Sequence, residues 1–205
     1  MTPALAQRLS IFRLPILLGL LLSLAGCSPE FFKQIEERKQ HAEYFRQLSN
    51  ELNRLTTIGE NYIDNLNPWL QGRKLDVDQT KVVFEEMVHD FEDIKANIKA
   101  LKHPDEEPIR GLEEDVFRYL ELEGELLLEF REILIVAIRN NPGSFKERKA
   151  AEDKIFAAAE PEKKMVDDLN KKMIDTANHY GVGYLFRDTP QNPFQPQPGN
   201  NFKSS

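Results

Sequence analysis

Four long stretches of this chain repeat apolar residues at steps of three and four, and no stretch sustains a period of two. That pattern dictates helices that bury one stripe each, and it leaves no material for a sheet. The first stripe is Ile35, Ala42, Phe45, Leu48, Leu52, Leu55, Tyr62 and Leu66, with Asn67-Pro68 expected to stop the helix. The second runs Phe84, Met87, Phe91, Ile94, Ile98 and Leu101. It should begin at Asp76 or Asp78, either of which can cap, and end at His103-Pro104-Asp105. The third covers about Glu106 to Asn140. Its seam is Leu112, Val116, Tyr119, Leu126, Phe130, Ile133 and Ala137, widened by Leu120, Leu127, Leu134 and Ile138. The fourth opens on Ser144 with Glu147 three residues later, the spacing of a capping box. Its weaker face is Ala151, Ile155, Ala158, Met165, Leu169, Met173, Ala177 and Tyr180, and Pro161 inside it should kink or interrupt it. Short connections force consecutive helices antiparallel. The expected fold is all-α: an antiparallel up-down-up-down four-helix bundle.

Size and charge narrow the rest. The chain has 205 residues, 40% hydrophobic and 30% charged, which suits one water-facing core. Net charge is −7. An acidic surface argues against nucleic acid, since phosphate binding needs a basic patch, and no nucleic-acid partner is expected. Residues 188–205 hold Pro190, Pro193, Pro196 and Pro198 among Gln, Asn, Gly and Ser, and read as a disordered tail.

The first 26 residues read as an address. Arg8 and Arg13 precede an apolar, Leu-rich run from Leu14 to Ala25. About a dozen residues is too short to cross a hydrocarbon core of ~30 Å. The composition is that of a secretion signal. Residues 1–26 carry no acid, so their removal makes the remainder more negative still. The domain plan is therefore a signal peptide over 1–26, a helical domain over 27–187 and the tail over 188–205.

That run closes on Leu24-Ala25-Gly26-Cys27, which resembles the lipobox of bacterial lipoproteins, and Cys27 is the chain's one cysteine. The resemblance covers residues 1–27. It implies cleavage before Cys27 and diacylglycerol on its sulfur, usually with acylation of the new α-amino group. Multiple acyl chains hold a protein at a membrane where one would not. Ser28 follows the cysteine, not the Asp linked to inner-membrane retention. The resemblance thus implies a periplasm-facing outer-membrane protein, or the outer face of the cell membrane where there is no outer membrane.

Several side chains invite chemistry. Glu86 and His89 have the Glu-x-x-His spacing of di-iron bundles, yet periodicity turns His89 away from the seam and no second copy exists. No metal is expected. Glu123 lies in the middle of the third seam, where a carboxylate must be paired or protonated. Counting equal distances along antiparallel helices puts it level with Tyr62 and Glu162, and the Tyr62 hydroxyl is expected to donate to it. The bland reading is a structural bond that fixes register; the other is a polar ligand site. His41 falls at the edge of the first seam. With no Gly-x-Ser-x-Gly elbow, no phosphate-cradling glycine loop and four scattered histidines, no enzyme and no cofactor beyond the covalent lipid on Cys27 is expected. The expected role is a non-catalytic interaction or scaffold module, tethered to the membrane and docking another envelope protein. The alternative is a small-ligand-binding or sensory bundle using the core near Glu123.

Overall fold

The computed structural model describes residues 29–186. The expected signal peptide, Cys27 and the expected tail lie outside the described residues. The chain divides into two units, Met1–Gln40 and His41–Ser205. Four helices follow in order: α1 Pro29–Leu70, α2 Val77–Ala100, α3 Glu107–Arg139 and α4 Phe145–His179, then a 3-10 turn at Gly183–Phe186. No strand occurs among the described residues. From His41 onward these helices form an all-α four-helix bundle. Among the described residues no helix is long and apolar enough to cross a membrane.

The helix starts follow local chemistry. Asp76 caps α2 by accepting from the Gln79 N–H at 3.1 Å. Ser144 and Glu147 make the capping box of α4, each side chain satisfying a backbone N–H of the other. The antiparallel register of α3 and α4 is set by two cross-links. Lys172 donates to the Gly111 carbonyl at 2.7 Å and pairs with Asp115. Further along, Lys154 reaches Glu129 at 3.0 Å. Moving up α3 by about four turns thus moves down α4 by about five.

Two prolines behave differently from expectation. Helix α1 does not stop at Pro68 but runs through it to Leu70, and α4 runs unbroken through Pro161. Pro68 sits in the last turn, so it removes only the bond to the Asp64 carbonyl, and few bonds remain above it to lose. The chain then closes through Gln71 N–H to Asn67 O and Arg73 N–H to Pro68 O, with Gly72 at φ +79°. Pro161 lies where α4 has no buried residue, between Ala151 and Val166.

The core falls into two apolar clusters. The larger joins Phe45, Leu48, Leu52, Phe91, Ile94, Leu112, Val116, Leu120, Leu169 and Met173. The smaller joins Tyr62, Leu66, Trp69, Met87, Ile133, Ala137 and Ala151. Half-buried Ile58 and Leu127 touch both. The buried seam of α1 starts later than expected: Ile35 is exposed, and burial begins at His41. Phe130 and Leu127 are half-buried, and Ile109, outside the expected α3 seam, is fully buried.

Candidate functional site

The level between the two clusters is polar. On α1 no residue from 56 to 61 is buried, and on α4 none from 152 to 165. Glu123 of α3 and Glu162 of α4 meet at this waist, as the Lys154–Glu129 and Lys172–Asp115 register requires, and their carboxyls hydrogen-bond each other. The Tyr119 hydroxyl, one turn before Glu123 on the same helix, joins them. Burial raises the Glu123 carboxyl to about 8, the negative charge of Glu162 adds to the rise, and the Tyr119 bond opposes it. Glu162 is raised too, chiefly by burial. Two carboxyls this close cannot both ionise cheaply, so the pair holds one proton at neutral pH, with Glu123 as its donor. Tyr119 is held far above the usual phenol range by burial and by the adjacent Glu123. One oxygen, Glu123 Oε1, is buried with no hydrogen-bond partner.

Tyr62 does not reach this group. Its hydroxyl donates to the Phe130 carbonyl at 3.1 Å, two turns further along α3, and its ring packs against Phe84 and Phe130. The reason lies in the connection between α2 and α3. Residues 101–106 are not helical and cover more length per residue than a helix does. That places Glu106, at the start of α3, level with His41 of α1, where its Oε1 lies 3.4 Å from His41 Nε2. Counting 21 residues up both helices from that contact sets Tyr62 level with Leu127, a turn past Glu123 and within reach of the Phe130 carbonyl.

The His41 end of the bundle carries the second polar group. His41 is buried and stacks on Tyr180, centroids 4.0 Å apart and planes within 13°. His103 pairs with Glu113 at 3.1 Å and faces the ring of Tyr44. Burial and the Glu113 charge hold the Tyr44 phenol up. Burial raises Glu113 as well, against the lowering effect of His103. Periodicity carries no sign that His41 and His103 share this end, because the contacts are set by the 101–106 connection.

Glu86 and His89 point outward, as periodicity requires. His89, Asp90 and Asp93 come within 4.8 Å of one another there, with His89 Nδ1 3.3 Å from Asp93 Oδ2. The spacings of three from Asp90 to Asp93 and four from His89 to Asp93 bring any such residues together on a helix. An open depression of about 610 Å³ between α1 and α2 is lined by Asn50, Asn53, Thr57, Asn61 and Asp90, among others. None of Glu123, Tyr62 or Glu162 lines it. Comparison of the chain with protein families, with curated proteins and with solved structures finds no match.

Proposed function

We propose that this chain is a membrane-anchored lipoprotein of the bacterial envelope whose bundle acts as a non-catalytic interaction module for another envelope protein. The observation that carries the reading is Leu24-Ala25-Gly26-Cys27: the chain's one cysteine closes a run of basic start, apolar core and small residues. The anchor faces the periplasm on the outer membrane. Two features of the bundle support a docking role. Leu128, Phe145 and Phe156 are 62%, 75% and 61% exposed, which leaves large apolar side chains on α3 and α4 for a partner to cover. The titratable groups best suited to chemistry are engaged with one another: His41 with Tyr180 and Glu106, His103 with Glu113, Glu123 with Glu162.

The test is metabolic labelling with palmitate, intact mass and membrane fractionation. Wild-type chain should take up label, lose residues 1–26 and sediment with membranes. Cys27→Ser should take up none. Behind an ordinary cleavable secretion signal, the same variant should stay soluble. A wild-type chain that is unlabelled and soluble would overturn the proposal.

One observation favours a second reading, a small ligand that donates to the waist: the buried Glu123 Oε1 without a partner. Glu123→Leu tells the two apart, because a ligand role requires that the fold survive and cellular function be lost.

A further inference from the structure

The first turns of α1 put large apolar side chains where a soluble protein would not keep them. Phe31, Phe32 and Ile35 are 51%, 61% and 38% exposed. At about 100° per residue they fall within one arc of little more than a quarter turn. Around the rest of these turns charge is sorted. Glu30, Glu36 and Glu37 fall outside that arc with Lys33, whereas Arg38 and Lys39 fall at or within it, a turn or two further along. The acids are held there by ion pairs, Lys33 with Glu37 at 3.6 Å and Lys39 with Glu36 at 3.5 Å. An apolar arc with two cations beyond it, and the acids outside it, is able to meet a bilayer with its apolar side chains first.

Chain length fixes what lies beside that arc. Phe31 is four residues from Cys27, and four residues span at most about 14 Å when fully extended. A lipid on Cys27 therefore keeps Phe31 and Phe32 within about 14–18 Å of the bilayer surface whatever the path between. We propose that Phe32 and Ile35, with Phe31 beside them, are a bilayer-contact surface that seats the first turns of α1 at the boundary between headgroups and acyl chains. The surface gives the start of α1 a second contact with the bilayer beside the lipid, with Arg38 and Lys39 at headgroup level. This rests on the lipoprotein reading above.

The experiment uses the full lipidated chain in vesicles of phosphatidylethanolamine and phosphatidylglycerol. Cys27 would be blocked by its lipid, so Phe32→Cys would supply the one free thiol for an environment-sensitive fluorophore. Glu85→Cys, exposed on α2, supplies the control. Expected is a blue-shifted emission at position 32, quenched by nitroxide-bearing lipids several times more strongly than at position 85. Emission at 32 equal to that at 85, in protein shown by mass to be lipidated, would overturn this inference and leave the anchor standing. A blue shift that appears only as protein density on the vesicle rises would overturn it in favour of a second copy covering the arc. If the unsubstituted chain itself reacts with the thiol reagent and carries no acyl mass, the anchor fails and the inference with it. A Phe32→Ser, Ile35→Ser double variant, lipidated to the same extent, should let nitroxide lipids quench a fluorophore at Lys39→Cys less than in the otherwise unchanged chain.

Discussion

Trp69→Ala should lower the unfolding free energy by about 3–5 kcal/mol, the most damaging single truncation in the bundle. Trp69 is fully buried in the smaller cluster. Its indole Nε1 donates to the Asn140 carbonyl, 2.9 Å away at the end of α3. Its ring lies so close to Gly143 that a Cβ there would stand 3.0 Å from Nε1 and 3.1 Å from Cζ2, and Gly143 holds φ +74° besides. Next to it the Asn141 amide donates to Leu75 O at 2.9 Å and accepts from Leu75 N–H at 2.8 Å. The connections after α1 and after α3 are thus tied together at one end of the bundle, with the indole as the wedge. Alanine would leave a cavity and an orphaned carbonyl together. For a chain of this size each kcal/mol moves the midpoint by about 2–4 °C, so a fall of about 10 °C is expected. Trp69→Phe keeps most of the volume and should cost about 1–2 kcal/mol, mainly the lost hydrogen bond. Trp69 is the chain's one tryptophan, so far-ultraviolet circular dichroism must follow the melts instead of fluorescence. A loss under about 1 kcal/mol for alanine would show that this end is not packed as described.

Trp69 also shows where the sequence could be read and where it could not. Tyr62, Leu66 and Trp69 continue the α1 stripe in steps of four and three, but Pro68 suggests an ending two residues too soon. A proline is a strong signal against a helix interior and a weak one in the last turn, where its missing N–H matters least. The capping residues Asp76, Ser144 and Glu147 are legible because a cap is a local bond between near neighbours. The α3 seam is legible because period fixes which face turns inward. Ile35 marks the limit of that logic: periodicity names the face and says nothing of whether a partner covers it. Register is legible between α3 and α4, where the connection is short, so Glu123 and Glu162 can be matched by counting. It is not legible between α1 and α3, because the extended residues 101–106 shift α3 along α1. That shift takes Tyr62 away from Glu123, brings His41 to Glu106, and leaves the intrahelical Tyr119 as the waist's phenol.

The stability of the bundle should fall as pH rises from about 4.5 to about 8 at the Glu123–Glu162 pair, and Glu123→Gln should remove that part of the fall. The sign follows from proton counting. Glu123 has its folded value raised to about 8, against about 4.5 for a free glutamate, so over this interval the folded state binds the proton that the unfolded state has lost. Raising the pH then favours unfolding; the stabilisation is whole below about 4.5 and gone once pH passes the folded value. A tenfold difference in proton affinity between the two states corresponds to about 1.4 kcal/mol. Sharing of the proton with Glu162 spreads the effect over both groups, and a total of roughly 3–5 kcal/mol is expected. Glutamine imitates the protonated carboxyl and keeps a donor for Glu162. Below about pH 4.5 it should match wild type to within about 1.5 kcal/mol, and it should become the more stable protein as the pH rises toward 8. Glu123→Leu should be at least as stable as wild type at about pH 8, since an apolar side chain removes the Glu123 charge and its repulsion of Glu162. The comparison is urea unfolding of the three proteins from about pH 4 to about pH 9, where the titrating groups away from Glu162 and Tyr119 are common to all and cancel in the differences. Parallel curves for wild type and Glu123→Gln would mean that the Glu123 carboxyl titrates like an exposed one and the polar waist is open to water. A complementation assay on the same variants then separates the two roles of the site. Retained function in a well-folded Glu123→Leu protein makes the pair a register device, because a ligand held by Glu123 Oε1 could not survive the loss of its acceptor.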